Sequence, residues 1–428
     1  MSQAIDNVTS PPVSWGVDGD RAAYKRSLLI SIALFLVSTI VAALTLPGDT
    51  AGGWGMFATT WLFLFSVSSF GVAFTAIMRL TGGKWARPLF RTAEVVTLAY
   101  LPFAFIGLLL IFYFARDQLF FWYQPAPGEH LSSWLGENKL LVRNLVGLSV
   151  FYLASIIYVR RTVQPDLIPG ESTGPLRGLV SSVFGGKPKR EAADLTGHLY
   201  RYAVVLLMIA ALATTFISWD FAMMLWPHYH STIFSMYFMV GSIYGGLGFL
   251  LLVMATLRKY IRVETVFGTR QIKNMGIMMT GFMCLWLYFF WAQFFVTWFG
   301  NLPHEMRPLN AQMYGHYGPI FWISVACLFA LPLSLLIFAW VKRNLWSASV
   351  VAGLIVAGVF LNRYLMVLPA QWPDHMPFTT LGGVFGSVAL LSGYRALMLL
   401  LFDAFPMLSR WEIEHIPAEQ RAHWHSKH

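Results

Sequence analysis

Long apolar runs alternate with short polar connections along most of the chain. A helix needs about 20 mainly apolar residues to cross the hydrocarbon core of a bilayer, and ten runs of about this length occur. They cover 27–46, 54–80, 92–115, 140–158, 199–217, 232–257, 276–299, 319–341, 347–368 and 379–402. A transmembrane barrel would instead show shorter segments of alternating polarity. The pattern therefore predicts an all-α polytopic membrane protein with about ten transmembrane helices.

Composition and charge agree with this class. Of the 428 residues, 57% are hydrophobic and 12% are charged, whereas about 25% are charged in ordinary soluble domains. The formal net charge of +10 could indicate nucleic-acid binding, but most of the 30 Lys and Arg residues lie in connections on one side of the predicted membrane. This bias is typical of cytoplasmic loops. It predicts that both termini are cytoplasmic and that nucleic acid is not a partner.

The spans divide the chain into five segments. Residues 1–26 form a predicted cytoplasmic tail, 27–158 carry spans 1 to 4, 159–198 form a cytoplasmic linker, 199–402 carry spans 5 to 10, and 403–428 form a second cytoplasmic tail. Pro and Gly lie among the basic residues of the linker, which predicts a solvated connection. Spans 2 and 6 are both rich in Ser and Gly, and each leads through a basic turn into an aromatic helix. This similarity suggests a parallel internal repeat.

The cysteines limit the cofactors that the chain can bind. Cys284 and Cys327 both fall within predicted spans, and the sequence contains no CxxC or CxxCH motif. Iron–sulfur clusters and covalent haem need such motifs. We therefore expect neither group, and no metal site, on this chain.

Polar residues within or beside the spans are the candidates for chemistry, because a charge at bilayer depth is costly. Asp220 ends span 5, where it either caps a short interfacial helix or binds a proton or quinol. His228 and His230 follow, and histidine titrates near neutral pH, which suits proton release. Glu94 lies three residues after Arg91. It forms either a local ion pair or an entrance for proton uptake.

Arg363 and Arg395 lie deeper inside their predicted spans than any other arginine. Arg363 lies near the outer end of span 9, and Arg395 lies near the inner end of span 10. A long basic side chain close to a helix end can extend to the membrane surface. We expect both side chains to do so, and we keep both as candidates for a proton or quinol path.

The segment 218–242 resembles the signature stretch of the NrfD-like (NrfD/PsrC, polysulfide reductase) membrane subunits. It is most similar to the ActF-type subunit of bacterial alternative complex III. The similarity rests on Trp219-Asp220, Met223-Met224, Pro227-His228, Ser231-Thr232-Ile233-Phe234 and the helix Met236-Tyr237-Phe238-Met239-Val240-Gly241-Ser242. Asp220 and His228 take positions in the family's outer polar segment. Trp226 stands where many relatives have an acidic residue, which removes one proton carrier.

The resemblance implies a subunit of a quinol:cytochrome c oxidoreductase in the bacterial inner membrane. Its implied partners are a quinol-binding paralogue, an iron–sulfur subunit, cytochrome c subunits with haem c, and a terminal oxidase. The chain itself would be a cofactor-free, non-redox subunit that supports assembly and proton passage. Two alternatives remain open. The chain could itself bind and oxidise quinol, or it could be a standalone secondary transporter.

Overall fold

A computed structural model describes residues 20–123, 134–167, 175–186, 192–258, 260, 267–409 and 411–412. Within this part of the chain, ten helices are long and apolar enough to cross a membrane, which confirms the predicted fold class and span number. Spans 1 to 10 are Arg21–Gly48, Gly53–Leu80, Lys84–Leu119, Asn138–Asp166, Gly197–Leu225, Phe234–Leu257, Thr269–Gly300, Gly315–Leu336, Leu345–Ala370 and Leu381–Ala404. Shorter helices are Arg177–Phe184, Pro303–Met313 and Ala339–Arg343.

Several helices continue beyond the apolar runs that predict them. Span 3 begins at Lys84 and span 4 ends at Asp166, because their polar end turns remain helical where hydropathy falls. Span 8, in contrast, is shorter than the apolar run that predicts it. It ends at Leu336, and extended backbone at Phe338 separates it from the short helix that follows. The predicted continuous run 319–341 is therefore two helices.

Eight of the spans form two four-helix bundles of the same arrangement. Spans 2 to 5 form the first bundle, in which span 2 packs on spans 3 and 5, and span 4 also packs on both. Spans 6 to 9 form the second bundle, in which span 6 packs on spans 7 and 9, and span 8 also packs on both. Spans 1 and 10 pack on each other, and span 10 also packs on spans 2 and 3. The bundles therefore agree with the predicted helix-bundle architecture.

Spans 2 and 6 lie at the centre and pack against each other. The most apolar stretch of span 2 is 94% buried and that of span 6 is 72% buried, against 17% for span 1. Gly246 explains part of this close approach, because a Cβ atom at that position would lie 2.4 Å from the Phe70 ring. Small residues allow helices to approach in this way. The two Ser- and Gly-rich helices thus take equivalent positions, as a parallel repeat would require.

Span 1 begins and span 10 ends at the same face of the molecule, where the Tyr24 hydroxyl donates to the Leu399 carbonyl. We call this the terminal face and the other the opposite face. That the terminal face lies in the cytoplasm stays a prediction.

The described part of 159–198 is not a solvated linker, so that prediction is wrong there. Span 4 continues to Asp166, and the helix Arg177–Phe184 buries Val180 and Phe184. Phe184 packs edge-on against Phe405, with ring centroids 5.1 Å apart. The predicted tail 403–428 also packs against the helices at 403–409 and 411–412, where apolar side chains such as Met407 and Leu408 are buried. Residues 413–428 lie outside the described part.

Candidate functional site

A buried charge cluster lies near the terminal face of the first bundle. Arg91 Nη1 donates to Glu94 Oε2 at 2.7 Å, which confirms the predicted ion pair. Thr162 donates to the other Glu94 oxygen at 2.9 Å, and Arg91 Nη2 donates to Asp166 Oδ2 at 3.0 Å. Both carboxylates are buried. The cluster therefore joins spans 3 and 4 through a shared arginine.

Residues near the C-terminus complete this cluster. Glu412 forms an ion pair with Arg79 of span 2, whose guanidinium also lies 3.9 Å from Glu94. Arg87 donates to the Glu412 carbonyl at 2.5 Å, and Trp411 donates to the Thr162 carbonyl at 3.0 Å. We call the group Arg79, Arg91, Glu94, Asp166 and Glu412 the terminal cluster. A cavity of about 190 Å³ beside Arg79, Arg87 and Glu412 opens next to it.

Asp220 lies at the other end of the first bundle. Arg143 donates to both of its oxygens, from Nε at 2.9 Å and from Nη2 at 2.5 Å. Asn144 donates to Oδ2 at 2.5 Å, and the Trp134 indole donates to Oδ1 at 3.0 Å. We call Trp134, Arg143, Asn144 and Asp220 the opposite cluster. Asp220 does not cap a helix, since the short helix Met223–Leu225 has no side-chain cap.

Arg363 occupies the matching region of the second bundle, but its partners are neutral. It donates to the Phe238 carbonyl at 2.8 Å, to Ser242 Oγ at 3.2 Å and to Asn362 Oδ1 at 3.1 Å. Its guanidinium carbon lies 3.7 Å from the centre of the Phe238 ring. Among the described residues, no carboxylate forms an ion pair with it. The prediction that Arg363 extends to the membrane surface is wrong, because its side chain points into the bundle and is fully buried.

A polar path connects Arg363 towards the opposite face. Asn362 donates to the Tyr237 hydroxyl at 2.7 Å, and nearby Gln293 donates to the Tyr229 hydroxyl at 2.6 Å. Tyr229, Tyr237, Gln293 and Glu305 line a cavity of about 30 Å³, which is enough for a water molecule. Burial raises the pKa of Tyr229, so its hydroxyl stays neutral. The path therefore offers hydrogen bonds without a titrating acid beside Arg363.

The remaining candidates lie apart from these clusters. His228 and His230 are exposed at the opposite face, and the His228 ring lies 5.7 Å from that of His304. His228 also has a left-handed backbone, with φ of 57°. Arg395 is exposed and donates to Ser31 at 3.1 Å and to Ser27 at 2.8 Å. The structure therefore does not bring the predicted site residues together, and no group of three metal-ligand residues occurs in the described chain.

Sequence reasoning missed the residues that pair with the candidates. Arg143 had a usable signal, because it lies three positions inside the predicted run 140–158. Asp166 and Glu412 had none, since they lie in the segments predicted to be a linker and a tail outside the membrane. His375 was also missed. It is buried in the connection between spans 9 and 10, with Nδ1 at 2.8 Å from the Tyr364 hydroxyl, and burial lowers its pKa.

The fold and the buried charges define a class, a polytopic helical membrane protein built from two four-helix bundles. Residues 49–373 match the family model described as polysulphide reductase, NrfD. This range covers most of the chain and includes all of the first bundle. The chain therefore belongs to the NrfD family of membrane proteins.

One curated relative gives a more limited match. The chain is 30% identical over 129 residues to a protein of Mesobacillus selenatarsenatis that is named as a subunit of selenate reductase. The match covers 30% of this chain and 29% of that relative. Less than a third of each protein is therefore similar at this level.

Proposed function

We propose that this chain is a cofactor-free integral membrane subunit of a quinol-oxidising respiratory complex. Within the NrfD family we assign it to the ActF-type subunits of alternative complex III, because segment 218–242 resembles theirs, and we place it in the bacterial inner membrane. Family membership supports the proposal, as does similarity to a protein named as a reductase subunit. Its partners are a quinol-binding paralogue, an iron–sulfur subunit, cytochrome c subunits with haem c, and a terminal oxidase. In this complex it supports assembly and proton passage.

One observation carries the proposed proton passage: the first bundle has a buried carboxylate near each face. Glu94 belongs to the terminal cluster and Asp220 to the opposite cluster. Between them lie buried hydroxyl groups, among them Tyr100, Tyr152 and Thr97. The Tyr152 hydroxyl has no hydrogen-bond partner among the described residues. Carboxylates and hydroxyls are the groups that proton relays use in membrane proteins.

Arg143 controls the release of a proton at the opposite face. Because it binds both oxygens of Asp220, a proton can bind the carboxylate only when the guanidinium moves away, and the proton is released when the guanidinium returns. A groove of about 460 Å³ lined by Trp134, Asn138 and Arg143 gives the side chain room to move. Proton transfer through Asp220 is therefore coupled to a displacement of Arg143.

Purification tests the assembly role. The full chain carrying an affinity tag is extracted from its native membrane in mild detergent and analysed by mass spectrometry and haem absorbance. We expect iron–sulfur and haem c subunits to purify with it in fixed proportion. A chain that purifies alone after gentle extraction, with no haem absorbance, would contradict membership of such a complex and favour a standalone transporter.

Substitutions test proton passage. Glu94→Gln and Asp220→Asn keep the size of each side chain but remove its acid, and Asp117→Asn, whose side chain is 60% exposed, is the matched control. In assembled complexes reconstituted into vesicles, we expect the first two variants to retain quinol oxidation and to lose about 10²-fold or more of proton translocation, since one proton-transfer group contributes about 10²–10⁴-fold. Unchanged translocation would contradict the proposal.

The alternative function is that this chain itself binds and oxidises quinol. The groove beside Trp134 favours it, because an aromatic ring and Arg143 lie there next to buried Asp220. In that case Asp220→Asn would lower both the rate of quinol oxidation and the affinity for quinol. Unchanged turnover and affinity in this variant and in His228→Ala would exclude a quinol site built on these residues.

A further inference from the structure

A basic pocket of about 800 Å³ opens at the terminal face of the second bundle. The ends of spans 6, 7 and 9 and the short helix Ala339–Arg343 surround it. Arg258 and Arg343 line it and supply the charge, while Ile272 and Leu345 supply an apolar wall. No Asp or Glu from the described ranges lines the pocket. Its chemistry therefore fits an anion that also carries an apolar part.

The rim of this pocket has the side chains of a membrane surface. Ile337, Phe338, Trp340 and Trp346 are 67%, 53%, 64% and 75% exposed and flank the pocket along the chain. Tryptophan is enriched where the hydrocarbon core meets the headgroup region, and the other two side chains would be costly to expose to water. The pocket thus lies at the depth of lipid headgroups.

We propose that this pocket binds the headgroup of an anionic phospholipid. Arg258 and Arg343 bind the phosphate oxygens, since guanidinium groups bind phosphate through paired hydrogen bonds. The acyl chains lie over Ile337, Phe338 and Trp340. Basic pockets between the cytoplasmic ends of transmembrane helices take such lipids. This lipid-binding role goes beyond the proposed function. It concerns the second bundle, whereas the terminal cluster belongs to the first.

Free phosphate shares the charge of the lipid but not its chains, so the two ligands can be distinguished. The delipidated full chain is mixed with tetraoleoyl cardiolipin, dioleoyl phosphatidylcholine or inorganic phosphate at equal phosphate concentration. Native mass spectrometry counts bound lipid, and thermal unfolding measures stabilisation. We expect cardiolipin alone to remain bound and to raise the Tm. An equal rise with inorganic phosphate or with phosphatidylcholine would overturn the proposal.

Two variants separate a pocket from general surface charge. Arg343 is exposed, so Arg343→Gln should fold normally, and it should weaken cardiolipin binding about fivefold for one lost charge. Arg258→Gln with Arg343→Gln should weaken it about 25-fold. The control Lys25→Gln with Arg26→Gln removes two exposed charges from the same face, where span 1 begins. Equal losses in the control, or unchanged cardiolipin affinity in both pocket variants, would overturn the proposal.

Discussion

The two four-helix bundles share one arrangement of helices but differ in their buried charges. Near the opposite face, the first bundle holds an acid with its matched base, Asp220 with Arg143. The second holds a base, Arg363, with neutral partners only among the described residues. A buried acid can take up and release a proton, whereas a fixed positive charge in a narrow passage repels protons and other cations. Repetition of a fold therefore does not repeat its chemistry.

The terminal faces differ in the same way. The first bundle is covered there by Trp411 and Glu412, which bind Thr162 and Arg79. The second opens into the pocket lined by Arg258 and Arg343. The charged side chains of the terminal cluster pair with one another, whereas two arginines of the second bundle line a pocket. The predictions below test this difference between the bundles.

The largest effect is expected for Arg143→Ala in the first bundle. It leaves the Asp220 carboxylate buried without its cation, and breaking a buried pair in this way costs about 3–5 kcal/mol. The measurement is the free energy of unfolding in mixed micelles of mild and denaturing detergent. Arg116→Ala is the control. It breaks a partly exposed pair with Asp117, 3.7 Å apart, and should cost less than about 1 kcal/mol.

A double variant sharpens this prediction. Arg143→Met with Asp220→Leu removes both charges and replaces them by apolar side chains, which is often neutral in protein interiors. We expect it to be more stable than Arg143→Ala alone. If both variants lose the same stability, the loss comes from packing around Trp134 rather than from the unpaired acid.

Hydropathy predicted the ten spans but could not predict these pairs. Arg143 and Asp220 are 77 positions apart, and Arg79 and Glu412 are 333 apart, so no local pattern joins them. Arg363 shows a second limit. Its distance from the helix end is compatible with a side chain that extends to the surface, and only the packing of spans 6 and 9 shows that it turns inward. The family resemblance identified Asp220 as a polar position, but not its ion pair.

A smaller effect is expected at the terminal face. Glu412→Gln removes the charged acceptor of Arg79, and a hydrogen bond to a charged group contributes about 1.5–3 kcal/mol. We expect a loss in this range in the same unfolding assay. Asp374→Asn, in which an acid that is 80% exposed loses its charge, should change stability by less than about 0.5 kcal/mol. Equal stability of the two variants would show that Glu412 does not hold the terminal cluster closed.

The pH dependence of stability tests the connection between the bundles. His375 lies between spans 9 and 10, and its ring lies so close to Gly52, before span 2, that a Cβ atom at that position would be 2.4 Å from it. Burial lowers its pKa, and Asp49 partly offsets that effect. The folded state favours the neutral ring. The contribution of His375 to stability is therefore fully present above the pKa of histidine in the unfolded state, about 6.5, and it decreases as the pH drops below that value. The Tm should fall on acidification, and less so in His375→Gln. An equal fall in both proteins would assign the effect to other groups.

The smallest effect, and the sharpest test of the comparison, is expected for Arg363→Met in the second bundle. The substitution removes a buried cation and leaves no buried acid unpaired in the described chain, because the partners of Arg363 are a carbonyl, a hydroxyl and an amide. The guanidinium also pays a desolvation cost that no counter-ion offsets. We therefore expect the free energy of unfolding to stay within about 1 kcal/mol of the original protein. A loss as large as that of Arg143→Ala would require an anion beside Arg363. The Nε atom of Arg363 and the indole nitrogen of Trp286, neither with a partner in the described residues, would be its donors.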